Sequence, residues 1–331
     1  MSRIRCHTVP QFYLKYFLIP NSNLFWVYDK KDSTAREQSP INTTVIGDYY
    51  LSSSDKEGNK DTRMEDFFSV LEDRTKPLFD AWISNPFKWS EDDKSLIAIF
   101  LSFMYTRAPR TIELTKEMGA VGINYRLDKL KDVANDAGKF KKLYEDFCAS
   151  KEGKGCKISF KECSHLMSDP LKYVKVQINE KHAIGDSLRM SEAIYRVLMS
   201  MHWGIGYIDD EHFFVTNDTP VNIFVPTNDK KAILGSGFGS PKAEINFPLS
   251  PKLCLRIRHT PINRYHRVYA GFVDEINRRS VYTAERYIIS SFKSNRIYKI
   301  VKEAASTYGK PKIDAEKIRQ RLEDAGVGNN L

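Results

Sequence analysis

Strand-forming segments at the two ends of the chain enclose a long helical stretch, and this order constrains the fold more than any other feature of the sequence. Residues 1–51 contain Leu24–Tyr28, a dense run of aromatic and β-branched residues that favours a strand. Residues 64–201 carry apolar residues at helical spacing, and residues 202–262 return to strand patterns. The order predicts an α+β fold: one helix-rich domain with a small mixed or antiparallel sheet built from N-terminal and C-terminal strands.

The C-terminal part is predicted to continue as a long basic helix over residues 263–306, followed by an extension over residues 307–331. No repeat or long low-complexity linker divides the chain, so a single domain is expected over residues 1–306. Two polar segments, 52–61 and the glycine-rich 235–239, are predicted to be loops, and the second matches neither a Walker A loop nor a dinucleotide-binding motif.

Positive charge is concentrated near the C-terminus. The chain has 51 Lys and Arg against 42 Asp and Glu, a net charge of +9, and the stretch 264–321 alone has 14 against 6, a net charge of +8. Arg279, Arg286 and Lys293 recur every seven residues and Arg296 follows three later, which on one helix forms a cationic stripe. Such a stripe suits the phosphates of nucleic acid, with RNA slightly favoured over DNA, and the alternative is a solvated helix face.

The cysteines and the N-terminus predict a cytoplasmic protein without a membrane partner. The five cysteines are an odd number and form no CxxC pair, which is typical of reduced thiols rather than of a zinc site. The basic N-terminus lacks the uninterrupted apolar core of a signal peptide. The most apolar stretch, Ser95–Tyr105, is too short to span a bilayer and is expected to be a buried helix.

Several motifs spread along the chain form a recognisable pattern. They are His7–Leu14 (HTVPQFYL), Phe17, Trp26–Lys30 (WVYDK), Glu65 with Glu72, Arg107–Pro109, Phe214–Val221 (FVTNDTPV), Phe247–Pro251 (FPLSP) and Asn277. This pattern resembles the DUF4238 family over most of the chain, to about Ser294. The family commonly has Ser where Asn217 stands and Asn where Thr219 stands. The resemblance implies a bacterial protein, since some members look like single-gene antiphage defence proteins, but it implies no substrate and no catalytic residue.

His7 opens that pattern and is the first candidate for catalysis. A histidine can act as a general acid or base near neutral pH or bind a metal, and the alternative is a ring that anchors the first strand through a backbone carbonyl. Glu65 and Glu72 lie two helical turns apart, so both point from one face, where paired carboxylates can hold Mg²⁺ or exchange protons. The alternative for them is a solvated face with salt bridges to neighbouring basic residues.

Arg107 and Asp218 complete the candidate set. Arg107 follows an apolar helix, where an unpaired charge is costly, so it needs a carboxylate or phosphate partner. Its planar guanidinium suits a phosphodiester or a substrate phosphate, and the alternative is an internal ion pair with Glu65, Glu72 or Asp218. Asp218 lies in a turn between two predicted strands, either as a site residue or as an acceptor for backbone N–H groups.

These five residues together predict a nuclease-like centre in which His7 is the base, the carboxylates hold a metal and Arg107 stabilises charge on the phosphorane. No established nuclease motif is present, so convergence of the residues in space is the first requirement. The leading hypothesis is a cytoplasmic antiphage-defence effector that cleaves nucleic acid, with Mg²⁺ as the candidate metal and a phage-encoded product as the candidate trigger. Two alternatives stay open: a non-enzymatic sensor or binding protein that recognises a phage component, and an enzyme acting on a nucleotide or phosphorylated metabolite with Arg107 as phosphate clamp.

Overall fold

The computed structural model describes residues 3–51, 60–86, 88–226, 237–310 and 313–327. Helices hold 52% of the described residues and strands 15%, which confirms the α+β class and its excess of helix. The predicted loop at 52–61 lies largely outside the described residues, as do residues 235 and 236 of the second predicted loop. Residues 237–239 are described and lie outside helices and strands, as predicted.

The helical part of the fold runs mainly from residue 63 to residue 200, as the periodicity predicts. The helices are α1 (Gln11–Leu14), α2 (Arg63–Ser84), α3 (Glu91–Thr106), α4 (Pro109–Ala134), α5 (Ala137–Ala149), α6 (Phe160–Ser168), α7 (Pro170–Tyr173), α8 (Glu180–Arg189), α9 (Ser191–Ser200), α10 (Ala270–Thr283), α11 (Asn295–Ala304) and α12 (Ala315–Asp324). Within the described residues, no helix combines the length and the apolar character that a membrane span needs.

The strands come from both ends of the chain. They are β1 (Arg5–His7), β2 (Phe25–Asp29), β3 (Thr34–Gln38), β4 (Val45–Gly47), β5 (His202–Tyr207), β6 (Thr216–Asn217), β7 (Asn222–Phe224), β8 (Glu244–Ser250), β9 (Leu253–Arg258), β10 (Tyr265–Arg267) and β11 (Tyr287–Ser290). They form a sheet of order β3-β2-β11-β6, a sheet of order β10-β5-β9-β8-β7 and the pair β1-β4.

The sheet β3-β2-β11-β6 joins the two ends of the sequence, as predicted. Val27 of β2 lies opposite Ile289 of β11 in antiparallel pairing, and β11 also pairs with β6. The sheet β10-β5-β9-β8-β7 is mixed, because β10 runs parallel to β5 whereas the other pairs are antiparallel.

Two compact units make up the chain, with boundaries that differ from the predicted ones. The first unit comprises Met1–Glu113 and Lys181–Lys310, and it contains all three sheets. Its core brings family motifs together: the buried Tyr13 hydroxyl donates to the Pro248 carbonyl over 2.8 Å and bonds the Thr216 hydroxyl at 2.6 Å. Tyr13, within the first motif, therefore links the two later motifs that hold Thr216 and Pro248.

The second unit comprises Leu114–Glu180 and Pro311–Leu331. Within it, α12 pairs with α4 through Arg319 and Asp128 at 3.2 Å and through Lys129 and Glu323 at 3.4 Å. The predicted C-terminal extension is thus part of a helical unit, an arrangement that needs contacts distant in sequence.

The predicted long helix over residues 263–306 is wrong. The segment instead contains β10, α10, β11 and α11. Tyr287–Ser290 is rich in aromatic and β-branched residues and gains partners on both sides, β2 and β6, so sheet pairing overrides the helical spacing of the charges.

Candidate functional site

His7 ends β1, and its position follows from the pairing of β1 with β4, where His7 lies opposite Val45. The Val9-Pro10 step ends the extended segment, and α1 begins at Gln11. The Gln11 amide nitrogen lies 3.0 Å from His7 Nε2. The other ring nitrogen, Nδ1, is buried and has no hydrogen-bond partner among the described residues, so the ring is anchored on one side only.

Glu65 and Glu72 lie on α2 two turns apart and face the same group, the guanidinium of Arg107. Glu72 Oε1 lies 3.0 Å from Arg107 Nη1, and Arg107 also acts electrostatically on Glu65. The thiol of Cys6 bonds the Glu65 carboxyl, and burial together with that carboxyl raises the pKa of Cys6 to about 11. Glu65 Oε1 is buried and has no hydrogen-bond partner in the described part of the chain.

Arg107 caps the end of α3, because Pro109 cannot continue that helix and begins α4 instead. The residue is 2% exposed, and its guanidinium lies 4.7 Å from the centre of the Phe68 ring. The Tyr50 hydroxyl donates to the Arg107 backbone carbonyl over 3.1 Å. The Nε–H of Arg107 has no acceptor among the described residues, so this edge of the buried guanidinium lacks an anion.

Arg107, His7 and the two glutamates perturb one another's protonation. Burial lowers the pKa of His7, and the positive charges of Arg5 and Arg107 act in the same direction. Burial raises the pKa of Glu65 and of Glu72, and Arg107 opposes both shifts. The site therefore favours a neutral imidazole next to carboxyls that hold protons more tightly than usual.

We call His7, Glu65, Glu72 and Arg107, with Cys6, Tyr50 and Phe68, the Arg107 cluster. It brings together four of the five candidate catalytic residues. Three of its buried polar atoms, His7 Nδ1, Glu65 Oε1 and Arg107 Nε, lack a partner among the described residues. Buried polar groups in native proteins are usually bonded, and unbonded ones cost free energy, so this concentration makes the Arg107 cluster a candidate site for a polar ligand.

Asp218 is not part of the Arg107 cluster. Its Oδ1 accepts from the backbone N–H of Glu285 at 2.8 Å, and its Oδ2 accepts from Arg286 at 2.7 Å and Tyr287 at 2.8 Å. These bonds hold the start of β11, and its hydrogen bonds within the described chain include none to the Arg107 cluster. Asp218 therefore acts as an acceptor for backbone N–H groups, which is the second of the two roles predicted for it. The N–H groups belong to a segment distant in sequence rather than to its own turn.

The four predicted nucleic-acid-binding residues do not form one stripe. Arg279 pairs with Glu244 at 3.2 Å, and Arg286 pairs with Asp29 at 2.8 Å. Lys293 lies between β11 and α11, and Arg296 is exposed on α11. The stripe requires a continuous helix, which β11 interrupts.

Some residues at the site escape sequence reasoning. Cys6, Tyr50 and Phe68 also contribute to the Arg107 cluster. The sequence hints at two of them, because Cys6 is adjacent to His7 and Phe68 lies three residues after Glu65 on α2, whereas Tyr50 has no such signal. A separate group, Asp210, Glu211 and His212, has ligand-type atoms within 4.8 Å of one another at the surface, and its consecutive DEH sequence is a signal that could have been noticed.

The family assignment follows from the whole chain. The model of the family described as "Protein of unknown function (DUF4238)" matches residues 5–294. The chain therefore belongs to the DUF4238 family, as its motifs indicate. Searches of curated proteins and of solved structures found no match.

Proposed function

We propose that the protein is a ribonuclease that cleaves RNA at the Arg107 cluster without a metal ion and acts as an effector of antiphage defence. The observation that carries the proposal is the set of three unpartnered buried atoms, His7 Nδ1, Glu65 Oε1 and Arg107 Nε. They belong to a base, an acid and a hydrogen-bond donor for the phosphate, which are the three groups that phosphodiester cleavage needs. The defence role rests on the family resemblance.

The proposed step is an attack of the RNA 2′-oxygen on the adjacent phosphorus. Neutral His7 takes the proton of the 2′-hydroxyl at Nδ1, with the Gln11 amide turned so that its oxygen accepts from Nε2–H, and protonated Glu65 donates its proton to the departing 5′-oxygen as the P–O5′ bond breaks. The products are a 2′,3′-cyclic phosphate and a 5′-hydroxyl. Arg107 stabilises the charge on the phosphorane, and Glu72 holds the guanidinium in place through the 3.0 Å ion pair.

RNA is favoured over DNA because this chemistry uses the 2′-hydroxyl as nucleophile. A metal-activated water is the usual alternative, and it would require a cation among the carboxylates. Arg107 forms an ion pair with Glu72 and acts electrostatically on Glu65, so a divalent cation there would be repelled by its charge. The expected Mg²⁺ role is therefore replaced by acid–base catalysis.

A second candidate is an enzyme that acts on a nucleotide or other small phosphorylated molecule. It is favoured by the 2% exposure of Arg107, since a small ligand enters a covered site more easily than a polymer does. His7 and Glu65 are half-buried as residues, but the atoms His7 Nδ1 and Glu65 Oε1 are themselves buried, which also favours a small ligand.

The test is a cleavage assay with RNA, the same sequence as DNA, and an RNA carrying a single 2′-deoxy position, each with EDTA and with Mg²⁺. We expect cleavage of RNA only, in EDTA as in Mg²⁺, with a cyclic phosphate end and no cut at the 2′-deoxy position. His7→Gln and Glu65→Gln should lose activity, whereas the exposed His202→Gln and Asp73→Asn should retain it.

Two results would overturn the proposal. Cleavage of DNA, or cleavage abolished by EDTA, would replace the acid–base mechanism with a metal-dependent one. No cleavage of RNA, with release of phosphate from nucleotides that depends on Arg107, would establish the second candidate. The defence role is tested by phage plating on cells that carry the wild type or His7→Gln, and equal plating would remove it.

A further inference from the structure

The segment 286–302 contains five Lys or Arg and no Asp or Glu. Arg286 is neutralised by Asp29 and Asp32. The other four, Lys293, Arg296, Lys299 and Lys302, lie on α11 or just before it and are exposed. The positive charge of this segment that Asp29 and Asp32 do not neutralise is thus concentrated at one helix.

The apolar side of α11 is already in use. Ile297, Ile300, Val301 and Ala304 are buried against Tyr28, Val281 and Ile288 in one apolar cluster. The helical repeat therefore places Arg296, Lys299 and Lys302 on the outer side, towards solvent. This helix cannot insert an apolar face into a membrane without leaving the core, which argues against a lipid surface as its partner.

The cations of α11 lie next to aromatic rings. The Lys293 ammonium is 4.8 Å from the centre of the Trp26 ring, and the Lys302 ammonium is 4.5 Å from that of Tyr298. Phe292 is 38% exposed beside them. No carboxylate of the described residues pairs with Lys293, Lys299 or Lys302 at ion-pair distance, whereas Arg296 pairs with Asp274. Cations without counter-charges beside an exposed ring, Phe292, are the features that single-stranded nucleic acids bind, whereas Trp26 and Tyr298 are partly buried and support the lysines from below.

We propose that Phe292, Lys293, Arg296, Lys299 and Lys302, here called the α11 face, bind single-stranded RNA. The inference rests on the proposed function for the identity of the polymer, and it replaces the predicted stripe by keeping Lys293 and Arg296 and excluding the ion-paired Arg279 and Arg286. The lysines contact phosphates, and Phe292 stacks on a base.

The neighbouring cleft limits the path of the RNA. A cavity of about 390 Å³ between α10 and α11 is lined by Arg278, Arg296 and Lys299, and also by Asp274, Glu275 and Glu303. Its carboxylates repel phosphates, so the strand runs along the Lys293–Lys302 side of α11 rather than into the cleft.

The test measures binding of a short unstructured RNA by fluorescence anisotropy over a range of salt concentrations, with every protein carrying His7→Gln so that the RNA stays intact. The double variant Lys299→Gln, Lys302→Gln should bind RNA at least about tenfold more weakly at low salt. Its salt slope, the magnitude of the slope of log K against log salt concentration, should fall by about 1.4, which is about 0.7 for each lost phosphate contact. The matched control is the double variant Lys139→Gln, Lys141→Gln on α5, which removes the same charge. The side chains of Lys139 and Lys141 are 74% and 68% exposed.

Phe292→Ala supplies an independent readout. It should weaken binding about fivefold or more with the salt slope unchanged, because stacking is lost and no phosphate contact is. Circular dichroism of each variant should match the parent, since all the substituted side chains are exposed.

The outcomes separate this inference from the proposed function. RNA binding that is equal in the α11 variants and the α5 control overturns the inference, as does absence of RNA binding, or binding to anionic vesicles alone. Binding that depends on the α11 face in a protein that cleaves no RNA supports the inference and refutes the ribonuclease. Cleavage of RNA with binding independent of α11 supports the ribonuclease and refutes the inference.

Discussion

The Arg107 cluster and the Asp218 carboxylate are both buried polar groups in family motifs, yet they differ in how their polar atoms are satisfied. Asp218 accepts three backbone N–H bonds, and both of its oxygens are in use. The Arg107 cluster leaves atoms of His7, Glu65 and Arg107 without partners among the described residues. A satisfied group stabilises the fold, whereas an unsatisfied group costs stability that a ligand can return.

The satisfied group belongs to a larger clamp on β11. Asp218 holds the backbone of Glu285–Tyr287, while Asp29 holds the Arg286 side chain at 2.8 Å. Lys30, the next motif residue, donates to the Ala284 carbonyl at 2.8 Å. The WVYDK and FVTNDTPV motifs therefore meet on one segment, and their acidic residues have an architectural role that needs no ligand.

The largest effect is expected from Asp218→Ala. The substitution leaves three buried N–H groups without an acceptor, so the free energy of unfolding should fall by about 3–5 kcal/mol. Urea denaturation measures it, with the exposed Asp209→Ala as control. A loss below about 1 kcal/mol would show that Asp218 is not structural and would remove the contrast between the two regions.

The next effect tests the other region. Arg107→Lys keeps a positive charge beside Glu72 but loses the planar guanidinium, so kcat/KM for RNA should fall about 100-fold. The unfolding free energy should change much less than for Asp218→Ala. Activity near that of the wild type would mean that Arg107 only neutralises Glu72.

The two regions also differ in how well the sequence predicts them. The helical spacing of Glu65 and Glu72 and the break at Pro109 are local rules, and they predict two carboxylates on one face of α2 and an arginine at the end of α3. The contact of Arg107 with Glu72, 35 positions away, is a tertiary contact, so the sequence leaves it as one of several alternatives. Asp218 remains ambiguous in the sequence, since the N–H groups that donate to its carboxylate belong to residues 67 to 69 positions away. The same lack of long-range information allowed β11 to be mistaken for helix, because the partners of Tyr287–Ser290 lie in β2 and β6.

A third prediction concerns the pH dependence of cleavage. Activity requires His7 neutral, with a pKa lowered from 6.5, and Glu65 protonated, with a pKa raised from 4.5. The plot of kcat/KM against pH should therefore be bell-shaped with its maximum on the acid side of pH 7, because activity is lost when His7 gains a proton and when Glu65 loses its proton. Glu65→Gln should abolish the alkaline limb in its residual activity. A maximum above pH 7 would show that Glu65 is not the acid.

The smallest effect is the most direct comparison of the two regions, because it replaces a carboxylate by its amide in each. Because the pKa of Glu65 is raised in the folded protein, binding of its proton stabilises the folded state. This contribution is complete below pH 4.5, the pKa of the unfolded chain, and is lost as the pH rises through the pKa of the folded protein. At pH 7 Glu65→Gln should therefore leave the unfolding free energy unchanged or raise it by up to about 1 kcal/mol, and the gain should vanish below pH 4.5.

Burial also raises the pKa of Asp218, to about 6. Asp218→Asn, however, turns an NH₂ group towards backbone N–H donors and should destabilise the protein at every pH. Urea denaturation of both variants from pH 4 to pH 8 measures the difference, and a Glu65→Gln variant as unstable as Asp218→Asn would show that the unpartnered carboxyl belongs to the architecture after all.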